Sequence, residues 1–481
     1  MDQPLARTAD RGRRAVVIGA SMAGLLAATA LADEADEVLL VDRDTLPDEP
    51  VPRTGLPQAR HAHLLWSGGA HVIEQLAPGL QDRWLAAGAR RVTVPTDFII
   101  LTPHGWMRRT PAFPHYQILC SRDLLDAVAR KHLLTHPRIT VCTGIHAESL
   151  IGDRHRAHGV RLRELSSQTL RTVTADLVVD ATGRGSRAPH WLAGLGLPPV
   201  REIRVDAGLV YATRIFRAPP GGDACPVIAL QADPAQSTPG RIASLIPIEG
   251  GRWLVTLAGT FGGQPTADSA EFEPFARSAP HPIVADLISA AEPLTNVSLT
   301  RSCSNQRRFY ERLRPWPSGF VVLGDAVAAY NPIYGQGMSV AAHSVGALRR
   351  AVRRHGLASP RLARAAQRAI GRIVANPWEI TVNQDIRFPG ARGRRPSVAA
   401  RLSHGYVDRL SRTATDQSSV ACALFDLMSL SSPPNVLFHP RTVLKVLRGP
   451  RRSPLADPPL TPAEQALRHS PSTPAPPTTC A

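Results

Sequence analysis

A glycine-rich turn close to the amino terminus restricts the possible folds of this chain more than any other feature. Residues 15–24 read AVVIGASMAG, an apolar run typical of a buried strand, followed by a turn and the start of a helix. Gly19 permits a tight turn, Ser21 is small enough for a pyrophosphate to approach the backbone, and Gly24 allows close packing of helix on strand. Asp42 ends the next apolar run, where a carboxylate accepts hydrogen bonds from an adenosine ribose. This order predicts a Rossmann-like dinucleotide site.

The same segment admits a second interpretation, as a targeting signal. Arg11 to Arg14 precede the uncharged residues 15–32, as in a twin-arginine or secretory signal peptide. A signal peptide requires neither the two glycines nor Asp42, whereas a strand, turn and helix do, so we favour the latter. No other run approaches the roughly 20 apolar residues of a membrane span. We therefore expect a cytoplasmic protein without stable membrane insertion.

A second glycine motif, far along the chain, favours FAD over NAD. The apolar residues 320–323 lead into Gly324 and Asp325, and residues 331–338, NPIYGQGM, lead into a helix. A carboxylate at a strand end can accept a hydrogen bond from a ribityl hydroxyl, which a flavin carries and NAD lacks. Backbone N–H groups at a helix start can stabilise negative charge on the pyrimidine side of a reduced flavin. Together the two motifs predict an FAD site.

The apolar patterning predicts an α/β fold for the Rossmann-like part, and an α+β architecture for the chain as a whole. Apolar runs alternating with helical stretches indicate a discontinuous Rossmann-like FAD-binding domain over residues 12–190 and 306–355. Short runs at 208–216, 227–231, 242–248 and 253–258 predict a mainly antiparallel β-sheet substrate domain inserted at 191–305. Residues 356–449 form a helical region, with helices expected near 359–375, 398–411 and 418–430 after one at 336–355. The proline-rich residues 450–481 are expected to be a disordered tail.

Composition restricts the partners of the chain. The net charge of +17 raises nucleic acid, anionic membrane and acidic partners as candidates. The basic residues are almost all arginines scattered along the sequence, and no nucleic-acid reader motif occurs, so we expect no nucleic acid. The arginine-rich helices at 349–372 are either a solvated surface or a docking face for an acyl carrier protein. Six separated cysteines, without C-x-x-C or Cys/His zinc spacing, predict neither a disulfide framework nor a metal site.

The motifs resemble those of flavoprotein monooxygenases of the aromatic-hydroxylase and squalene-epoxidase kind. Gly19–Gly24 and Gly324–Asp325 match the outer signatures of that family, whereas the middle signature, here DATGRGSR at 180–187, departs from the usual Asp-Gly pair. In the family that pair also serves the reduced nicotinamide. The resemblance therefore implies FAD, with electrons from NAD(P)H directly or through a separate flavin reductase.

A closer resemblance is to the actinobacterial epoxidases of polyether ionophore biosynthesis, of the monensin and lasalocid type. It rests on residues 53–66, 180–187, 247–254 and 331–338. The resemblance implies epoxidation of alkenes of a linear, hydrophobic polyene polyketide, with O2 as co-substrate. An NAD(P)H-dependent aromatic hydroxylase and a flavin-dependent prenyl-chain reductase remain alternatives.

The chemistry expected of this site asks little of the protein's side chains. If FAD is bound, its reduced form is expected to react with O2 to a C4a-hydroperoxide, which an electron-rich alkene attacks. The cofactor carries the difficult step, so no acid–base pair is needed and we name no catalytic side chain. Pro332, Gly335, Gln336 and Gly337 are predicted to position the flavin.

The predicted cofactor-binding residues come from both motifs and from the resemblance, which places an arginine such as Arg122 against the FAD phosphates. His61 and His63 either lie on alternate sides of a short extended segment or point apart at a helix start, so a shared metal is not expected. They serve either local hydrogen bonding near the flavin or a structural role. The predicted cofactor-binding set is Gly19, Ser21, Met22, Ala23, Gly24, Asp42, Arg43, Arg60, Arg122, Gly324, Asp325, Pro332, Gly335, Gln336, Gly337 and Met338.

Overall fold

The computed structural model describes residues 12–111, 113–301, 303–394 and 398–469. The strands are β1 (Arg14–Ile18), β2 (Glu37–Val41), β3 (Leu65–Trp66), β4 (Arg90–Thr93), β5 (Phe98–Thr102), β6 (Gly105–Trp106), β7 (Tyr116–Leu119), β8 (Ile139–Cys142), β9 (Ile145–Gly152), β10 (Ala157–Glu164), β11 (Leu170–Thr174), β12 (Leu177–Asp180), β13 (Glu202–Asp206), β14 (Val210–Arg217), β15 (Val227–Leu230), β16 (Arg241–Ile248), β17 (Arg252–Gly259), β18 (Ser298–Thr300), β19 (Asn305–Arg308), β20 (Phe320–Val322), β21 (Ala328–Ala329) and β22 (Arg392–Gly393).

The helices lie between these strands and after them. They are α1 (Met22–Ala32), α2 (Ser67–Leu76), α3 (Leu80–Ala86), α4 (Arg122–Leu133), α5 (Ala188–Gly194), α6 (Phe272–Arg277), α7 (Ile283–Ile288), α8 (Gly337–His355), α9 (Leu362–Ile373), α10 (Ala375–Asp385), α11 (Val398–Ala414), α12 (Ser418–Met428), α13 (Pro440–Arg448) and α14 (Pro462–Ala466). No helix in the described ranges is long and apolar enough to cross a membrane.

A five-stranded parallel sheet has the strand order β20-β12-β1-β2-β8 and contains both strands that lead into the glycine motifs, β1 and β20. Its strands are short apolar runs, as expected for a sheet covered by helices on both faces. Helix α1 is buried along almost its whole length and packs against α8. The predicted Rossmann-like core is confirmed, and residues 14–32 form a strand and a buried helix of this core, not a signal peptide. Because β1, β12 and β20 run parallel, the turns after them meet at one edge.

A separate seven-stranded sheet has the strand order β18-β14-β17-β16-β15-β5-β6. The four strands predicted between residues 208 and 258 are all present and pair in antiparallel fashion. Strand β5 is a difference from the prediction, since residues 98–102 were assigned to the FAD-binding domain. It pairs in parallel with β15, with Phe98 opposite Val227. The apolar run FIILT suits either sheet, and only the tertiary pairing decides between them.

The helical region resembles the prediction, with two additional helices, α10 and α13. Helices α8, α9, α11 and α12 lie where the apolar patterning places them. Helix α10 was not predicted, because Asn376-Pro377 reads as a helix end. Pro377 lies instead in the first turn of α10, where its missing N–H needs no helical partner.

The prediction of a disordered tail is wrong for residues 450–469. Leu455 forms a bridge with Trp106, and α14 begins with a capping box formed by Thr461 and Glu464. Leu467 is buried in the core of the seven-stranded sheet, and Arg468 pairs with Asp286 at 2.5 Å. A few apolar residues spaced among prolines are therefore enough to hold this segment on the sheet. The rest of the predicted tail, residues 470–481, lies outside the described residues.

Candidate functional site

A cavity of about 710 Å³ opens at the edge where the turns after β1, β12 and β20 meet. It is lined by both glycine motifs, which the sequence separates widely and the parallel sheet brings together. The predicted residues that line it are Gly19, Ser21, Met22, Ala23, Asp42, Arg43, Arg122, Asp325, Pro332, Gly335, Gly337 and Met338. Gly24, Arg60, Gly324 and Gln336 are not among its lining residues.

The first glycine turn has the backbone geometry that the motif requires. Gly19 has φ +101°, and a Cβ there would lie 2.6 Å from the carbonyl oxygen of Ala181. A Cβ on Gly24 would collide with the carbonyl oxygen of Gly19, so Gly24 packs α1 on the turn and does not line the cavity. Ser21 precedes α1, and its hydroxyl makes no capping hydrogen bond. The free N–H groups of the first helical turn and this hydroxyl suit an anionic diphosphate.

Asp42 supports the same turn and also faces the cavity. Its Oδ2 accepts a hydrogen bond of 2.6 Å from the Ala20 N–H, and its Oδ1 accepts one of 2.8 Å from the Asp44 N–H. The buried Arg53, which was not predicted, lies 3.3 Å from Asp42 Oδ2 and donates to the Ala20 carbonyl at 3.0 Å. Arg53 opens the 53–66 segment that carries the closer resemblance, and this was its only sequence signal. Asp42 thus orders the turn while it contributes a carboxylate to the cavity.

Arg122 lies between the two glycine motifs. Its guanidinium is held by Asp126, with Nε donating to Oδ1 at 3.1 Å, and its Nη1 lies 2.9 Å from the Sδ of Met338. The side chain is buried and lines the cavity. A positive charge therefore stands where α4 meets the start of α8.

The middle signature forms a closed turn beneath the cavity. Asp180 is fully buried, and its Oδ1 accepts from the N–H and the hydroxyl of Thr182 at 2.9 and 2.6 Å. Its Oδ2 accepts from the Ser186 hydroxyl at 2.5 Å. Burial raises the pKa of Asp180, while these hydrogen bonds oppose the rise. The carboxylate is occupied within its own turn, whose residues 181–185 line the cavity.

Asp325 follows β20 and presents its carboxylate to the cavity. The side chain is exposed there, and no side chain or N–H of the described residues donates a hydrogen bond to it. Desolvation by the surrounding residues raises the pKa of Asp325, while Arg184 and Arg122 lower it. Gly324 makes the turn possible with φ +64° and packs against Ala23 of the first motif. An acceptor without a protein partner suits a ligand hydroxyl.

The loop before α8 is folded tightly against the segment at residues 61–66. Gly335 has φ +62°, and a Cβ there would lie 3.0 Å from the Cβ of Leu64. The Trp66 indole N–H donates to the Tyr334 carbonyl at 3.3 Å. Gln336 is buried and donates from Nε2 to the Met428 carbonyl at 3.0 Å, so it fastens the start of α8 to α12 and does not reach the cavity.

A buried polar network that the sequence did not reveal holds this loop from below. Asp385, near the end of α10, accepts hydrogen bonds from Asn305 Nδ2 (2.7 Å), Asn331 Nδ2 (2.9 Å) and the Tyr334 hydroxyl (2.9 Å). The Tyr211 hydroxyl donates to Asn331 Oδ1 at 2.9 Å. Burial raises the pKa of Asp385, and the three donors oppose it. A lone aspartate in a helix carries no signal of such a role.

His61 and His63 both line the cavity as neutral groups. His61 Nδ1 lies 2.8 Å from the Thr213 hydroxyl, and His63 Nδ1 lies 2.8 Å from the His61 carbonyl. Burial lowers the pKa of His61 to about 4 and that of His63 to about 3. The hydrogen bond to Thr213 ties the 61–66 segment to the seven-stranded sheet.

The donor set of the cavity fits FAD. The helix start at Ser21 suits the diphosphate, the carboxylate of Asp42 a ribose, and the unpartnered carboxylate of Asp325 the ribityl chain. The first turn of α8, which has no acidic residue, presents its positive end to the same cavity. The residues of the two motifs would therefore hold opposite ends of one ligand.

Comparisons with known proteins agree with this geometry. A family model described as FAD dependent oxidoreductase matches residues 15–195. Protein Rv3254 of Mycobacterium tuberculosis is 33% identical over 385 residues, which cover 78% of this chain and 80% of that protein. A kynurenine 3-monooxygenase of Salinispora tropica is 28% identical over 351 residues, covering 69% of this chain and 70% of that protein.

Two solved structures show the same fold at low sequence identity. PqsL, a probable FAD-dependent monooxygenase from Pseudomonas aeruginosa, is 18% identical with a TM-score of 0.57, covering 78% of this chain and 97% of that chain. The myxobacterial chondrochloren halogenase CndH, a variant of the FAD-dependent halogenases, is 16% identical with a TM-score of 0.61, covering 87% and 97%.

Proposed function

Because this chain belongs to the FAD-dependent oxidoreductase family and is a flavin monooxygenase, we propose that it epoxidises alkenes of a linear, hydrophobic polyene. FAD, when bound and reduced, supplies the activation of O2. The residues of the chain bind the cofactor, exclude water and orient the alkene. The substrate class comes from the resemblance of residues 53–66, 180–187, 247–254 and 331–338 to the polyether epoxidases.

One observation carries the choice of an alkene over a substrate that must lose a proton. Three titratable groups line the cavity beside residues 331–335, namely His61, Tyr211 and Cys303, and all three are in their neutral forms at pH 7. Burial lowers the pKa of His61 to about 4, raises that of Cys303 to about 12, and raises that of Tyr211 well above 10. None of these three groups is a strong general base, and the carboxylate of Asp385 below the loop already accepts three hydrogen bonds. Oxygen transfer to an electron-rich alkene requires none.

The apolar packing at this end of the cavity supports a hydrophobic substrate. Tyr211 and Cys303 belong to one buried apolar cluster with Leu209 and Ile242, against which Ile333 of the loop packs. An uncharged, water-poor wall of this kind stabilises a polyene through burial of its apolar surface. It also protects an oxygenating flavin from water.

Isotope labelling tests the proposed reaction. Purified protein is incubated with FAD, a reductant, ¹⁸O2 and a linear trisubstituted polyene, and the products are analysed by mass spectrometry. We expect products with one or more ¹⁸O atoms and one double bond fewer for each oxygen gained. Label from H2¹⁸O instead of ¹⁸O2 would overturn the proposal. Anaerobic loss of double bonds without oxygen gain would indicate a prenyl-chain reductase instead.

We propose that a separate flavin reductase, using NAD(P)H, supplies the electrons. The support is the middle signature, in which Asp180 is fully engaged by Thr182 and Ser186 and offers nothing to a nicotinamide. We expect slow NAD(P)H oxidation by the protein alone and product formation only with added reductase. Fast, substrate-stimulated oxidation of NAD(P)H by the protein alone would contradict this.

Aromatic hydroxylation is the second candidate function. It is favoured by the relatives named kynurenine 3-monooxygenase, which are 28% identical to this chain. The same labelling experiment with kynurenine in place of the polyene distinguishes the two. Incorporation of ¹⁸O into kynurenine and not into the polyene would replace the epoxidase proposal.

A further inference from the structure

A cluster of metal-ligating residue types, one buried and two half-buried, lies outside the FAD cavity. His115 precedes β7, and Cys422 and Asp426 lie on α12. Cys422 and Asp426 are four residues apart on the helix, so they share one face, and His115 approaches that face from the strand side. One ligand atom from each residue lies within 4.8 Å of the other two. The fold thus brings a distant histidine to a cysteine and an aspartate that share one turn of α12.

The distances are close to those of a metal centre. His115 Nε2 lies 3.0 Å from Asp426 Oδ1. Two atoms at that separation, each about 2.0 Å from one Zn²⁺, subtend an angle of about 100°, near the tetrahedral value. The Sγ of Cys422 lies within 4.8 Å of the other two ligand atoms and would supply the third bond to the ion, a Zn–S bond of about 2.3 Å.

The surroundings of His115 also suit its role as a metal ligand. The other ring nitrogen, Nδ1, lies 3.4 Å from the hydroxyls of Ser67 and Ser429, either of which can accept a hydrogen bond from its N–H. Metal-bound histidines generally donate that second N–H to such a partner, which orients the ring.

A surface cavity of about 800 Å³ gives access to the cluster, and Cys422, Asp426 and His439 are among its lining residues. We propose that His115, Cys422 and Asp426 bind one Zn²⁺ ion, with a fourth coordination position open to this cavity. Nitrogen, sulfur and oxygen donors together are typical of Zn²⁺ and unsuited to Mg²⁺ or Ca²⁺. This proposal replaces our sequence-based expectation of no metal site.

From its position, the ion would stabilise the packing of α12 on the rest of the chain. It would join α12 to the segment that leads into β7, and the last residue of α12, Met428, holds Gln336 at the start of α8. A bound ion would therefore stabilise the helical region where it contacts the flavin-positioning loop. Loss of the ion should lower the thermal stability of the chain without removing any FAD contact.

Metal titration of the full chain, prepared without a histidine tag and freed of metal by dialysis against chelator, tests the proposal. We expect one Zn²⁺ per chain, and Co²⁺ should give a thiolate-to-cobalt charge-transfer band in the near ultraviolet. Cys422→Ser and His115→Gln should each weaken Zn²⁺ binding by about tenfold to a hundredfold, and Cys422→Ser should also abolish the Co²⁺ band. Cys142→Ser, which changes a half-buried cysteine elsewhere in the chain, should preserve both the Zn²⁺ affinity and the Co²⁺ band.

Circular dichroism and urea unfolding show whether each variant is folded, so that weaker metal binding is not mistaken for unfolding. Equal Zn²⁺ affinity of the wild type and Cys422→Ser, or a Co²⁺ complex without a thiolate band, would overturn the proposal. If a variant fails to fold, the Co²⁺ spectrum of the wild-type chain decides alone. FAD binding and oxygenation activity do not enter this test, so it stands apart from the proposed function.

Discussion

At the scale of single residues, Asp385 is the buried group on which the flavin-positioning loop most depends. Its carboxylate accepts from Asn305, Asn331 and Tyr334, all of which are buried or partly buried. Asp385→Ala would leave three donors without an acceptor, and each such donor costs about 1–3 kcal/mol in the free energy of unfolding. We expect a loss of more than about 2 kcal/mol in the free energy of unfolding, measured in urea, and weaker FAD binding, measured by fluorescence.

A matched variant separates the loop from general damage to the core. Tyr211→Phe removes one hydrogen bond to Asn331 and leaves Asp385 in place, and we expect a loss of about 1 kcal/mol. Asp385→Asn retains one acceptor oxygen and should restore part of the FAD affinity. Wild-type stability and FAD affinity in Asp385→Ala would contradict the assigned role.

His63 gives the chain a pH dependence of known sign. Burial lowers its folded-state pKa to about 3, from 6.5 for the ordinary group. Below pH 6.5 the His63 imidazole is protonated in the unfolded chain but stays neutral in the folded chain. The free energy of unfolding therefore falls as the pH falls from 6.5 towards 3. The effect is up to about 1.4 kcal/mol per pH unit.

Urea unfolding between pH 7 and 4.5 measures this contribution of His63. We expect His63→Gln to lose less stability on acidification than the wild type, since glutamine does not titrate. Parallel stability profiles for the two proteins would show that His63 titrates normally in the folded state.

At the scale of elements, α14 fastens the carboxyl-terminal segment to the seven-stranded sheet. Leu467, directly after α14, is buried among residues of the sheet and of α7, while Arg109 pairs with Glu464 at 2.8 Å. Leu467→Ala should cost about 2–3 kcal/mol through lost burial and a residual cavity. Leu170→Ala, at a leucine that is 49% exposed, should cost less than about 0.5 kcal/mol. Equal effects of the two changes in urea unfolding would show that the segment does not hold to the sheet.

The elements also show which parts of the structure were predictable. The strand, turn and helix at residues 14–32 and the strands between 208 and 258 follow from local patterning, because their apolar period and glycines act over a few residues. Strand β5 and the buried role of Asp385 depend on partners more than 100 and 50 residues away. Local sequence carries no record of such partners. The same reason hides the meeting of His115 with Cys422.

At the scale of the whole molecule, one ligand should connect parts of the chain that are distant in sequence. FAD would contact the turns after β1 and β20 and the start of α8. Its binding should therefore stabilise the five-stranded sheet together with the helices that pack on it. At about 100 times the dissociation constant the expected gain is about 2.7 kcal/mol. Thermal unfolding with FAD, ADP or FMN checks this.

The two halves of the cofactor serve as controls in that experiment. ADP and FMN each carry a phosphate with one end of FAD, so each should raise the melting temperature by less than FAD does at equal concentration. Asp325→Ala should reduce the rise in melting temperature that FAD and FMN produce, and should not change the rise that ADP produces. An equal shift with ADP and FAD would mean that the second glycine motif makes no contact with the flavin.

The structure of the chain crystallised with FAD tests the shared site most directly. The expected electron density shows one FAD with its adenosine ribose at Asp42, its diphosphate at the start of α1 and its ring system at residues 332–338. A hydrogen bond from a ribityl hydroxyl to Asp325 is part of the same expectation. FAD bound away from either motif, or a chain that takes up no FAD at saturating concentration, would contradict it.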